Sequence, residues 1–121
     1  MRQDRARGKM SYLAGMAAED AVAADYARRG YPVAAQRWRG TRGELDLVLR
    51  DGTGFIIVEV KQARDFARAL AHVTPAQLAR IHATAAEFAA GEPTGQLTDL
   101  RLDVALVDGI GRVEIHENFW T

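Results

Sequence analysis

The stretch GELDLVLRDGTGFIIVEVK, from Gly43 to Lys61, constrains this chain more than any other. Two apolar, β-branched runs flank Asp51-Gly52-Thr53-Gly54, a turn-forming cluster. That pattern predicts a β-hairpin. Four ionisable residues interrupt the apolar runs: Glu44 and Asp46 in the first, Glu59 and Lys61 in the second. Residues i and i+2 of a strand share a face, so each pair is co-facial. If Asp51 to Gly54 form the loop and Arg50 pairs with Phe55, Asp46 falls opposite Glu59 and Glu44 opposite Lys61. Directly opposed Cβ atoms stand about 4.5–5.5 Å apart, and two carboxylates at that distance repel. A hard divalent cation between them removes the penalty. The alternative is a charged face that is simply solvated. It fits less well, because Phe55-Ile56-Ile57-Val58 is apolar on both faces, as a buried central strand is. Glu and Lys are rarely buried without partners.

Composition excludes several kinds of chemistry. The 121 residues contain no cysteine, so disulfides, thiolate nucleophiles and cysteine-held zinc are out. His72, His82 and His116 are scattered without metal-ligand spacing. The length suits one domain. No apolar run is long enough for a membrane span, and the basic start MRQDRARGKM is not followed by the apolar core of a secretory signal. A cytoplasmic protein with no membrane partner and no small-molecule cofactor is the expectation. Net charge is zero but unevenly spread. Up to Arg42, nine Lys/Arg face four Asp/Glu, a net +5, and the remainder carries −5. A basic N-terminal third suits phosphate contacts, or else a solubilising tail.

Taken in order, residues 1–10 read as a flexible basic arm and 11–121 as the domain. Helical spacing of apolar residues runs from about Ser11 to Arg29, with Gly30 at the position after the helix end. Glu19 and Asp20 lie mid-helix. They are solvated unless the helix packs over the hairpin's charged face, where Glu19 points at it. Tyr31 to Trp38 predicts a strand. Arg37, Arg39 and Arg42 surround Gly40 and Gly43, a basic approach to the hairpin. Trp38 is expected as a packing aromatic. Gln62 to Arg68 predicts a loop or a short helical turn. Thr74-Pro75 opens a helix that runs to Gly91, with Leu78, Ile81, Ala85 and Phe88 as its apolar stripe. Gln77 and Arg80 lie on the adjoining flank. Leu100 to Val107 and Arg112 to His116 predict two strands. Asp103, inside the first, is either an edge residue or the anchor of a core polar network. Phe119 and Trp120 are expected to cap the core or an oligomer interface. The fold class is α/β, with a mixed central sheet flanked by helices.

An acid, a turn and then Glu59-Val60-Lys61 at the end of an apolar strand resemble the PD-(D/E)XK nuclease pattern, with Asp46 as the first acid. Gly15 and Glu19, Gly30-Tyr31, GELDLV, IIVEVK and Arg101-Leu102-Asp103-Val104 occur in that order. Together they resemble the YraN family of bacterial proteins over roughly Ala14 to Phe119. The resemblance implies a restriction-endonuclease-like fold similar to Holliday-junction resolvases. It implies a Mg²⁺ (or Mn²⁺) site at Asp46 and Glu59, with Lys61 beside it, Glu19 completing the site and Glu44 as a further acid. The chain departs from the family pattern at Ala18, usually Gly. It departs again at Ala63, where an Arg is usual and Arg64 stands one residue late, and at Gln77, usually Lys.

The implied activity is metal-dependent hydrolysis of DNA phosphodiesters, branched DNA included. In this reading Asp46, Glu59 and Glu19 hold the metal and Lys61 supports the attacking water or the transition state. Arg37, Arg39, Arg42, Arg64 and Gln77 grip phosphates. A homodimer suits cutting both strands of a junction. The rival reading is a non-catalytic nucleic-acid- or protein-binding module on the same fold.

Overall fold

The computed structural model describes residues 2–119. Helix α1 spans Arg2–Arg28, starting ahead of the Ser11 expected from apolar spacing. Arg, Gln, Ala, Lys and Met fill most of residues 2–10 and all favour helix. The side chains of that basic stretch, like Trp120, lie outside the described ones. The helix stops as the sequence predicts. Gly30 takes φ +91°, Gly30 N–H donates to Ala27 O at 3.1 Å and Tyr31 N–H to Tyr26 O at 3.1 Å, which is the Schellman arrangement.

Five strands form one sheet in the order β1-β2-β3-β4-β5: β1 Val33–Arg39, β2 Glu44–Asp51, β3 Gly54–Gln62, β4 Leu100–Val107 and β5 Val113–His116. All neighbours are antiparallel except β3 and β4. The parallel step needs a crossover, and residues 63–99 supply it with two helices, α2 (Phe66–Ala71) and α3 (Pro75–Ala90). The chain is therefore an α/β protein with a five-stranded mixed sheet flanked by helices, the class expected from sequence and consistent with a nuclease-like fold.

The hairpin register is the expected one over its outer half. Arg50 pairs with Phe55, and pairing runs inward to Leu47 with Val58. The turn is tighter than expected, with Asp51 and Gly54 still paired. Positive φ falls on Gly52 alone of the two turn residues, the pattern of a type II′ turn. β3 is central, and Gly54 to Val58 are buried on both faces.

Each face has its own cover. Ala18, Val22 and Tyr26 of α1 pack on Leu47, Leu49, Ile56 and Val58. Ile81 and Ala85 of α3 pack on Val48, Phe55, Ile57 and Leu102, and Trp38 meets Phe88 edge-on at 5.3 Å, as a packing aromatic. The short α2 buries Ala69 against Val104 and Leu106. Asp103 is the anchor of a core network and not an edge residue. It is fully buried, accepts from Tyr26 Oη at 2.6 Å and from Asn118 N–H at 3.0 Å, and holds Arg101 by two bonds of 2.9 and 3.0 Å. Phe119 joins the core, and its N–H donates to Leu102 O.

Candidate active site

The site grows from a break in strand regularity. Strict alternation would place Leu45 with Leu47, yet Leu45 packs on the α3 side beside Val48 while Leu47 faces α1. Across from this point, Ala35 and Trp38 share the α3 side although they are three residues apart. Between Gln36 and Trp38 sits Arg37 with φ +53°, a conformation that non-glycine residues seldom adopt. Outliers of this kind collect at functional sites.

At the same level β2 leaves the β3 ladder. Instead of a backbone acceptor, the Asp46 carboxylate takes the Val60 N–H, at 2.9 Å. Asp46 and Glu59 line one common cavity, in keeping with the shared face expected from alternation, and the Asp46 carboxylate disfavours charge on Glu59. The expected placing of Glu44 opposite Lys61 does not occur, because β2 has by then turned onto β1. Glu44 pairs with Arg39 at 3.4 Å. Lys61 instead holds Glu59, Nζ to Oε1 at 3.2 Å, with both side chains largely buried.

These acids line a cavity of about 170 Å³. Gly43, Glu44, Asp46 and Glu59 form its strand side, and Gln77, Arg80, Ile81 and Thr84 of α3 form the other. The α3 residues are set by a capping box. Thr74 Oγ1 accepts from Gln77 N–H, and Gln77 Oε1 accepts from Thr74 N–H.

Electrostatics mark the cavity as a place short of positive charge. Burial, and then the neighbouring Asp46 carboxylate, push the Glu59 carboxyl up to about 7 against the help of Lys61. Burial also raises Asp46, despite its bond from Val60 N–H. Glu19 on α1 is raised too, by burial first and further by Asp46 and Glu44. Raised carboxylates with a specific charge neighbour in a cavity are the physical signature of a functional site.

The other sequence candidates are spread out. Glu19 is buried on α1, does not line the cavity, and is clamped by Arg37, Nε to Oε1 at 2.8 Å and Nη2 to Oε2 at 3.3 Å. Gln36 holds the adjacent Asp20 at 3.1 Å. Arg39 and Arg42 are exposed. Arg64 lines a different cavity, of about 500 Å³, between the alanines of α1 and the Asp108-Gly109 turn. Among the described residues no group of three carboxylates or histidines comes close enough to hold a metal alone. Arg80 was expected on the helix flank beside Gln77 but with no role at the site, and the Val60 N–H, which orients Asp46, was not expected at all.

A model of the uncharacterised protein family UPF0102 matches residues 18–107, a span that holds Glu19, Asp46, Glu59, Lys61 and α3. The chain belongs to UPF0102. A UPF0102 protein of Ruegeria pomeroyi is 58% identical over 112 residues, 93% of this chain and 91% of that one. A UPF0102 protein of Cereibacter sphaeroides is 56% identical over 111 residues, 92% and 95% of the two chains. Another, from Roseobacter denitrificans, is 52% identical over 111 residues, covering 92% and 86%. UPF0102 is the YraN family of the sequence resemblance. Among the described residues no helix is long and apolar enough to cross a membrane.

Proposed function

We propose that this UPF0102 protein is a Mg²⁺-dependent endonuclease that hydrolyses phosphodiester bonds of DNA. One observation carries the reading: Asp46 and Glu59, from two different strands, line one open cavity with Lys61 3.2 Å from Glu59. A fold gains nothing from such a pair alone, since each carboxylate disfavours the other's charge. The donor set suits Mg²⁺, which is held by one or two carboxylates plus substrate phosphates and retained waters, and does not require an all-protein cage. Asp46 and Glu59 would be its ligands, and Glu19 a further acid that feels the charge of Asp46. The metal supplies Lewis acidity at the scissile phosphate and a water of lowered pKa.

The chain's own groups do the rest. Val60 N–H fixes the Asp46 carboxylate, so the ligand is oriented before anything binds. Lys61, held by Glu59, is a donor at the place where negative charge develops on the phosphate. A cation between Asp46 and Glu59 would favour the charged form of both carboxylates, with Lys61 beside them as the further positive group.

A single specific observation favours the rival, a binding module without catalysis: Glu19 is clamped by Arg37, which leaves two carboxylates and not three. Calorimetric titration with Mn²⁺, together with cleavage of labelled linear, flap and junction DNA, separates the two. The expected result is metal binding and Mn²⁺- or Mg²⁺-dependent cleavage by the wild type, and neither by Asp46→Asn. In the metal-free state Asp46→Asn should melt at the same temperature or slightly higher, because a repulsion is gone. Equal Mn²⁺ binding by the two proteins would remove Asp46 from the ligand set and hand the case to the binding module.

A further inference from the structure

Most cations near the acid cavity already have partners. Arg37 is bound to Glu19, Arg39 to Glu44 and Lys61 to Glu59. Gln77 is committed to its capping box, and Arg64 belongs to the other cavity. Arg42 makes no ion pair among the described residues but does not line the acid cavity. Arg80 differs from all of these. It lines the cavity opposite Asp46 and Glu59, yet its guanidinium makes no hydrogen bond or ion pair among the described residues.

Its backbone is also fixed, while the residue itself is exposed to solvent. The next residue, Ile81, is buried in the core, and Thr84 Oγ1 donates to the Arg80 carbonyl at 2.7 Å. A guanidinium that shares a cavity with three carboxylates and pairs with none is left for an acceptor that arrives from outside. A phosphodiester brings two non-bridging oxygens, which match the planar fork of Arg.

We propose that Arg80 is the phosphate-binding residue of this site, holding a DNA phosphate across the cavity from Asp46 and Glu59. The inference rests on the endonuclease reading and moves the phosphate grip from the β1 arginines to α3.

The test is affinity of the full chain for a labelled 20-base-pair duplex, measured in Ca²⁺ at several salt concentrations. Proteins compared are the wild type, Arg80→Ala, Arg80→Lys and Arg50→Ala, the last being an arginine stacked on Phe55 at the hairpin end. Loss of a charge-assisted contact should weaken binding about 10- to 100-fold. It should also flatten the slope of log K against log salt by about 0.9. Arg80→Lys should keep the slope and lose part of the affinity, and Arg50→Ala should match the wild type. Unchanged affinity and slope in Arg80→Ala would overturn the assignment, as would an equal loss in Arg50→Ala. A cleavage assay on the same proteins separates this claim from the reading beneath it. An Arg80 effect on binding without cleavage by the wild type overturns the endonuclease and leaves the contact standing. Cleavage indifferent to Arg80→Ala overturns the contact alone, and a wild type that binds no DNA overturns both.

Discussion

Glu59 titrates near neutral pH because burial and the Asp46 carboxylate oppose its charge more than Lys61 supports it. Its ordinary value is 4.5, so between there and about 7 the folded protein holds a proton that the unfolded chain has released. Stability from this group is therefore complete below about pH 4.5 and is lost as the pH rises through 7. At about 1.4 kcal/mol per pH unit the loss is on the order of 3 kcal/mol. Asp46 and Glu19 are shifted in the same direction and add to the trend. Urea unfolding of metal-free protein at pH 5 and pH 7.5 measures it, and Glu59→Gln should remove most of the slope. A flat wild-type profile would contradict the burial argument. Cation binding runs the other way. It needs both carboxylates charged, so stabilisation by Mn²⁺ should grow over the same pH window.

Among the elements, β3 carries the most constraint, since it is buried on both faces from Gly54 to Val58 and brings Glu59 to the cavity, with Lys61 beside Glu59. Its first residue is where it meets the start of β4. A Cβ built on Gly54 would lie 2.7 Å from the Asp99 carbonyl oxygen, and that carbonyl accepts the Phe55 N–H at 2.9 Å. Backbone cannot yield there as a flexible side-chain end can. Gly54→Ala should cost about 1–3 kcal/mol, the usual range for forced overpacking. Thr53→Ala, one residue earlier and exposed, should cost under about 0.5 kcal/mol. Thermal melts of the two variants decide the matter, and equal stabilities would show that β3 and β4 can separate at this end without penalty.

At the scale of the whole molecule, α1, β4 and the chain's C-terminal end are joined through one buried carboxylate. The buried Asp103 receives Tyr26 from α1, Arg101 from its own strand and the Asn118 backbone from beyond β5. Tyr26→Phe removes one bond to a charged acceptor and leaves the other partners in place. That should cost about 1.5–3 kcal/mol in denaturant unfolding. Because Asp103 does not line the acid cavity, affinity for Mn²⁺ should be unchanged. A variant that loses metal binding along with stability would mean that α1 and the cavity are coupled through this network.

Sequence alone determined what contiguous residues decide together. The hairpin register from Arg50–Phe55 inward, the Gly30 helix stop and the bounds of α3 from Thr74 to Gly91 were legible. Each follows from backbone geometry and hydrogen bonds within a few residues. Two local signals went unread. Thr74 and Gln77 carry capping-box spacing, which explains Gln77 without a phosphate. Asp65, whose side chain accepts from Arg68 N–H, caps the short α2, where a loop or a short helical turn was expected without its cap. The shared cavity of Asp46 and Glu59 was half legible: alternation gave the shared face, while the departure of β2 from the ladder set Asp46 on the Val60 N–H. Tertiary structure alone decided the rest: Arg37 with Glu19, Arg39 with Glu44, Lys61 with Glu59, and Arg80 across the cavity, unpaired among the described residues. Charge pairing depends on which elements converge and on where a strand breaks phase. The positive φ at Arg37 that sets the phase leaves no mark in the residue pattern, because arginine does not ordinarily stand there.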